Sequence, residues 1–187
     1  MKILLALFIL FLFLFGCERN YIKDFKIDGI SLGDNLVEKY TMDEILKYQK
    51  NYYPKTKFKQ SDFFPKNMNS EYDQISIGYK IENKKYIVHD VGGAILFKNN
   101  IDDCYAKKKE ISNSLSKLLK DDNWQINIYE DQYGSYDSQY LILDTGEYVV
   151  VECYNWNSNT EKDLNWVDNL QVRVSSPEWE AMKISQE

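Results

Sequence analysis

The hydrophobic and polar positions of this chain repeat with two different periods, and the changes between them predict the order of its elements. Phe25 and Ile27 predict a first short strand, which glycines then interrupt. A helical stretch follows, and it begins at a capping box formed by Thr41 and Glu44. Residues 54–70 are rich in proline, lysine and asparagine, which is typical of a loop.

The middle of the chain predicts a pair of strands followed by the longest helix. Residues 74–80 alternate between apolar and polar side chains, and residues 86–97 form a second strand. Gly92 and Gly93 interrupt that strand, which indicates a bulge or a close backbone approach. Asn100 caps the helix, whose core-facing stripe is apolar except for one lysine. The stripe comprises Ile101, Cys104, Tyr105, Lys108, Ile111, Leu115, Leu118 and Leu119.

The last third of the chain predicts further strands and a short terminal helix. Segments with alternating apolar positions begin at Trp124, Tyr140, Tyr148 and Leu170. Residues 131–137 and 155–163 are expected to be loops, and Ser176 with Pro177 begins the last helix.

Short turns join the predicted strands, and strands joined in this way pair antiparallel. The predicted fold class is therefore α+β, an antiparallel meander sheet with one long helix and shorter helices packed on one face. The order of helix and then strands occurs twice, although no residue-level repeat accompanies it.

The N-terminus has the layout of a secretory signal. Lys2 precedes an unbroken apolar run at residues 3–15, and Gly16-Cys17 separates that run from the charged Glu18. A membrane-spanning helix needs about 20 apolar residues, so the run is too short to serve as one.

The segment Leu14-Phe15-Gly16-Cys17 resembles the lipobox of bacterial lipoproteins. The resemblance implies a diacylglyceryl group on Cys17, cleavage after Gly16 and acylation of the new N-terminus. Each buried CH₂ contributes about 0.8 kcal/mol, so two or more acyl chains anchor a protein stably. Because Glu18 is not the aspartate associated with inner-membrane retention, the resemblance implies an outer-membrane lipoprotein facing the periplasm.

The predicted organisation follows from this resemblance. Residues 1–16 are the signal peptide, residues 17–23 are the lipidated cysteine and a short tether, and residues 24–187 form a single α+β domain. The stretch "KIDGISLGDNLVEKYTMDEIL", with two glycines and the capping box, is similar to the entrance of small periplasmic lipoproteins of the SmpA/OmlA type and of β-lactamase-inhibitor-like domains. Such a fold does not by itself assign a function.

Two cysteines remain once Cys17 carries lipid. Cys104 lies on the apolar stripe of the long helix, and Cys153 lies on the apolar face of a strand. An exported chain meets an oxidising compartment, which favours a Cys104–Cys153 disulfide. The alternatives are two buried free thiols or a metal pair, which only His89 could join.

The charge of the chain argues against nucleic acid as a partner. The formal net charge is −6, whereas a nucleic-acid-binding domain needs a basic stripe. The run Lys107-Lys108-Lys109 is flanked by Asp102, Asp103 and Glu110, which indicates a solvated face.

No catalytic constellation stands out in the sequence, and no catalytic residue, cofactor or metal is expected. His89 alternates with its neighbours in a strand, and no nucleophile motif accompanies it. The paired acids Asp28 with Asp34, and Glu130 with Asp131, are candidates only by proximity.

The favoured hypothesis is a non-enzymatic, lipid-anchored envelope protein that binds another envelope protein. Its membrane contact is the N-terminal lipid, and the loop containing Tyr133, Tyr136 and Tyr140 is a candidate contact surface, since tyrosine gives a large contact area at low entropic cost. The alternatives are an envelope hydrolase that uses carboxylates or His89, and a lipoprotein that binds a small ligand.

Overall fold

The computed structural model describes residues 22, 25–82, 84–98 and 100–185. The predicted signal peptide and Cys17 lie outside these residues. The strands are β1 Gln49–Lys50, β2 Phe58–Phe63, β3 Gln74–Glu82, β4 Lys85–Leu96, β5 Gln125–Glu130, β6 Gly134–Ile142, β7 Tyr148–Trp156 and β8 Asn169–Ser175. The helices are a 3₁₀-helix Leu36–Glu38, α1 Met42–Tyr48, α2 Ile101–Leu119, α3 Ser158–Leu164 and α4 Pro177–Ile184.

The strands form one eight-stranded antiparallel sheet in the order β1-β2-β3-β4-β8-β7-β6-β5. It consists of two four-stranded meanders, β1–β4 and β5–β8, which are joined where β4 pairs with β8. The long helix α2 carries the chain from the centre of the sheet to its far edge at β5. The α+β prediction is confirmed.

One face of the sheet carries the main core. Register places six buried residues in a row across the strands, namely Ser61, Ile77, Val91, Val174, Val149 and Leu141. Helix α1 lies on this face, where the Ser61 hydroxyl donates to the Ile45 carbonyl at 3.1 Å. Helix α2 lies over β7 and β8 on the same side.

The predicted disulfide is confirmed. Cys104 of α2 and Cys153 of β7 are bonded, with their Cα atoms 6.1 Å apart. The bond links residues that are 49 positions apart, so the loop-entropy model gives a stabilisation of about 4 kcal/mol. The bond therefore fastens the long helix to the second meander.

Lys108 is the exception on the apolar stripe of α2, and the structure explains it. The residue is buried, and its Nζ lies 2.5 Å from the Asp137 carboxylate of β6. The expectation that the whole lysine run is solvated is thus wrong at this position, because the strand beside α2 supplies a paired charge. Lys107 lies 2.9 Å from the exposed Glu110.

Helix α4 lies on the opposite face, over the first meander, so the prediction that the helices share one face is wrong for this helix. The Trp179 ring occupies the space beside Gly78, where an added Cβ would come within 2.4 Å of it. Gly78 alternates with the core residues Ile77 and Tyr79 and therefore faces the other way. Phe58 packs edge-on against Trp179 at a centroid distance of 5.6 Å. Helix α4 thereby covers the second face around Gly78.

Four local predictions are wrong. The predicted loop at 131–137 is a strand from Gly134 onward, where β6 begins. Residues 25–30 form a tight turn rather than a strand, because Asp28 and Gly29 have φ values of 51° and 77°. The predicted loop at 54–70 contains β2, and the predicted loop at 155–163 contains most of α3. Both β2 and α3 contain many polar residues, so neither shows the apolar period from which an element is predicted. In α3 the cap is Asn157, whose side chain accepts from the amides of Asn159 and Thr160.

The irregularity predicted at Gly92 and Gly93 is a close approach and not a bulge. A Cβ on Gly93 would lie 2.3 Å from the Tyr72 ring. The register shift lies instead opposite Gly78 and Tyr79, where His89 is the extra residue of β4. Within the described part of the chain, no helix is long and apolar enough to cross a membrane.

Candidate functional site

The second meander exposes a polar and aromatic surface on the side opposite α2. In β7 the core residues Val149, Val151 and Cys153 alternate with residues that point to this other side. Register aligns neighbouring strands so that their outward residues lie together. We call this surface the tyrosine face, and it consists of Tyr129, Tyr140, Tyr148, Glu152, Tyr154 and Arg173.

The tyrosine face forms a shallow cavity of about 250 Å³. Ser138 and Val150 contribute to its floor, and Lys183 of α4 contributes to its rim. Helix α4 therefore borders the cavity without covering it.

The rings of the tyrosine face are held by one another. Tyr140 stacks on Tyr148 with centroids 5.3 Å apart. Tyr129 stacks on the buried Tyr136 at 4.4 Å, and Tyr154 meets Tyr136 edge-on at 5.3 Å. Mutual packing of this kind limits ring motion, so the surface is preorganised for contact.

The charges on the tyrosine face are unevenly paired. The Arg173 Nε lies 3.7 Å from the Asp90 carboxylate, and the Lys183 Nζ lies 3.0 Å from Glu180. Glu152 accepts a hydrogen bond from the Ser138 hydroxyl. Among the described residues Glu152 has no cation within ion-pair distance, so its carboxylate is the charge left for a ligand or partner.

Asp90 and Arg173 form the buried end of this arrangement. Complete burial raises the pKa of Asp90, and Arg173 and the Ser175 hydroxyl oppose that rise. The neighbouring Asp90 raises the pKa of Arg173, which stays a cation. Because Asp90 occupies its Nε side, Arg173 serves to balance a buried carboxylate.

The tyrosine hydroxyls are hydrogen-bonding groups and not titrating groups. Burial, followed by the charge of Glu152, raises the pKa of Tyr129 to about 12. Burial, followed by Tyr140, raises the pKa of Tyr148 to about 12. Burial raises the pKa of Tyr154 well above its ordinary value. All three hydroxyls therefore remain protonated near neutral pH, which suits binding rather than proton transfer.

The structure separates the three tyrosines of the predicted contact loop. Tyr136 and Tyr140 lie in β6 rather than in a loop, and only Tyr133 lies in the turn before it. Tyr136 is only 6% exposed and donates to Asp131, so it is a packing residue. Tyr140 belongs to the tyrosine face, and its hydroxyl donates to Gln125 at 2.8 Å. Tyr133 packs near Trp166.

Sequence reasoning did not select Tyr129, Tyr148, Glu152 or Tyr154. The signal was present in β7, where Tyr148, Val150, Glu152 and Tyr154 occupy one side of a strand whose other side is apolar. A strand with two such sides predicts a core face and an aromatic face.

His89 contacts the residue that caps helix α4. The bulge turns its side chain to the face of Asp90, where its Nδ1 lies 2.8 Å from the Ser176 hydroxyl. Ser176 in turn accepts from the Trp179 amide at the start of α4. Glu178 approaches the same Nδ1 at 3.8 Å. In a hydrolytic triad the nucleophile and the carboxylate contact different ring nitrogens, so this geometry is not that of a triad.

Three of the four paired carboxylates accept hydrogen bonds from backbone amides. Asp28 accepts from the Lys66 amide at 3.2 Å, and Asp34 accepts from the Ser31 amide at 3.1 Å. Asp131 accepts from the Tyr133 amide at 2.7 Å. No group of three His, Cys, Asp or Glu side chains that could hold a metal ion occurs among the described residues.

Comparison with known proteins gives no relatives to argue from, because no family model, no curated protein and no solved structure matches this chain.

Proposed function

We propose that this chain is a lipid-anchored protein of the bacterial cell envelope that binds another envelope protein through its tyrosine face. The anchor is a lipid on Cys17, and the domain faces the periplasm from the outer membrane. The partner inserts a lysine or arginine side chain beside Glu152.

The anchor rests on the sequence. A short basic start, an apolar run and the lipobox-like Leu14-Phe15-Gly16-Cys17 together favour processing and lipidation. The Cys104–Cys153 disulfide agrees with this location, since such bonds persist in oxidising compartments.

The observation that carries the binding proposal is the uneven covering of one sheet face. Helix α4 packs its Trp179 over the first meander, while the tyrosine face of the second meander stays open. Tyrosine and arginine are enriched at the energetic centres of protein interfaces. Preorganised rings lose little conformational entropy on binding, which favours this surface over flexible exposed side chains.

The chemistry of the partner follows from the charges. Glu152 has no contacting cation among the described residues, and tyrosine rings lie beside it. A cation above tyrosine rings gains electrostatic attraction of about 0.5–2 kcal/mol, and a carboxylate beside it adds to that gain. The net charge of −6 steers a basic partner toward this protein.

The test is photo-crosslinking of the full chain in intact cells, with a photoreactive residue at Tyr148 or, as a control, at the exposed Tyr52 of the other meander. A specific cross-link should form at position 148 only, and the cross-linked peptide of the partner should contain lysine or arginine. Placing Glu152→Gln alongside the photoreactive residue should reduce the cross-link about tenfold, as expected for a residue at the centre of an interface.

Glu71→Gln is the matched control for Glu152→Gln, because Glu71 is exposed on the first meander side of the sheet. It should leave the cross-link unchanged. The proposal is wrong if positions 52 and 148 capture the same proteins, or if the two glutamine variants behave alike.

A small cationic ligand is the second candidate, because the surface contains a defined cavity. Its volume of about 250 Å³ lies below the roughly 300–1,000 Å³ of most small-molecule sites, which favours an inserted side chain. Native mass spectrometry of the purified full chain distinguishes the protein partner from the small ligand. A small amine that stays bound to the parent protein and is lost from Glu152→Gln would favour the ligand.

A further inference from the structure

Strand β5 forms one edge of the sheet, and none of the described strands pairs with its outer side. All six of its residues are exposed, and in the described part of the chain it pairs only with β6. Ile126 and Ile128 are 66% and 68% exposed, and they lie on the side of the sheet that carries α2. The edge therefore combines free backbone hydrogen-bonding groups with two exposed branched apolar side chains.

The two edges of the sheet differ in how they are protected. The opposite edge, β1, is only two residues long and ends in a lysine. Short edge strands, lysines, prolines and bulges are the usual means of preventing edge pairing. The sequence of β5, "QINIYE", contains no lysine, arginine or proline, and its register with β6 is unbroken.

We propose that β5 pairs antiparallel with β5 of a second copy of this chain, about a two-fold axis through Asn127. In this register Ile126 of each copy lies opposite Ile128 of the other, and the four isoleucines form one apolar cluster. Gln125 lies opposite Tyr129, and Trp124 lies opposite Glu130. Apolar side chains directly opposite each other on one face of a sheet stabilise the pairing of the two strands.

The pattern of β5 identifies a second copy as the occupant. Its apolar residues are placed symmetrically about Asn127, so the strand is complementary to itself when reversed. Its one charged residue, Glu130, lies at the end of the strand. In the paired dimer the two Glu130 side chains are about 20 Å apart, at the 3.4 Å rise of each strand residue, so like charges do not meet.

The isoleucine cluster lies on the other side of the sheet from the tyrosine face, to which β5 contributes Asn127 and Tyr129 at its border. Edge pairing and partner binding are tested with different variants, so each proposal can fail without the other.

The register is tested with a single added cysteine in the full chain, in cells with an oxidising envelope. Asn127→Cys should give a disulfide-linked dimer that reductant separates, because residue 127 lies opposite itself. Gln125→Cys and Tyr129→Cys should each give little dimer alone and a mixed dimer when the two variants are produced together. Asn113→Cys, on the exposed surface of α2, is the control for chance proximity.

The apolar contact is tested in the Asn127→Cys background. Ile126→Lys with Ile128→Lys places lysines opposite each other and should reduce the dimer at least tenfold. Leu46→Lys, at another exposed apolar residue, should not reduce it. The intact Cys104–Cys153 bond, read from the mass of each variant, shows that the domain has folded.

Three results would overturn the inference. One is the absence of a dimer link at residues 125, 127 and 129 while the native disulfide is intact. Another is a link at Asn113→Cys as strong as that at Asn127→Cys. The third is a disulfide from position 127 to a different protein, which would mean that β5 pairs with a strand of that protein and not with a second copy.

Discussion

Gly78 and Gly92 lie in neighbouring central strands, yet the space beside them differs. A Cβ on Gly78 would come within 2.4 Å of the Trp179 ring, whereas the nearest atoms to a Cβ on Gly92 would lie at 3.5 Å. Neither residue has a positive φ, so the difference is one of packing alone.

Gly78→Ala is therefore expected to lower the free energy of unfolding by about 1–3 kcal/mol, because the ring of Trp179 must move. Gly92→Ala should change it little, since its contacts are ordinary van der Waals contacts. Urea unfolding of both variants checks this, and equal losses would contradict the packing account of α4.

Some single-residue features could be predicted from the sequence, because they depend on near neighbours or on covalent chemistry. The capping box is present, with the Thr41 amide donating to Glu44 at 2.7 Å and the Glu44 amide donating back at 3.3 Å. The disulfide followed from compartment and side-chain patterning. The contact of Trp179 with Gly78 could not be predicted, since it depends on which face of the sheet α4 takes.

At the scale of elements, α4 shows how a strand irregularity positions a helix. The bulge in β4 brings His89 to the Ser176 hydroxyl, and the His89 carbonyl accepts from the Ser176 amide at 2.7 Å. Lys80, Glu82 and Glu178 supply the charges around the ring. Burial lowers the pKa of His89, and Glu178 and Glu82 oppose that effect.

This shift predicts a pH dependence of stability. Unfolded histidine titrates near pH 6.5, and its folded pKa here is lower, so the unfolded state takes up the proton first as the pH falls. The free energy of unfolding should thus be constant above about pH 6.5 and should decrease below it until the folded pKa is reached.

His89→Gln should remove this part of the decrease, because the chain has no other histidine. Unfolding of both proteins in urea at about pH 7.5 and about pH 5.5 measures it. A variant that loses as much stability as the parent protein between these conditions would show that His89 is not the source.

The elements that sequence reasoning found and missed differ in one physical respect. Helix α2 and strands β7 and β8 bury apolar side chains at regular intervals, so their period is visible. Strand β2 buries Gln60 and Ser61 beside its phenylalanines, and α3 buries only a threonine. The Ser61 hydroxyl donates to the Ile45 carbonyl, sixteen residues away, and a local window does not contain this contact.

At the scale of the whole molecule, the proposed anchor and the disulfide can be measured together. The intact mass of the membrane-extracted protein should equal residues 17–187 plus acyl chains, and reduction should add one hydrogen to each of two sulfurs. Cys17→Ser should retain residues 1–16 and carry no acyl chain. An unprocessed parent protein would overturn the anchor, while the reduction step would still test the disulfide.

The order of the strands also determines when each strand can pair while the chain emerges. Strand β8 follows every other strand in the chain, and it is the strand that joins the two meanders. As the chain emerges from its N-terminus onward, the twelve-residue β4 therefore has one unpaired edge until residues 169–175 arrive. An exposed edge of that length can pair with other emerging chains. Folding of this protein is thus most vulnerable to aggregation in the interval before its last strand is complete.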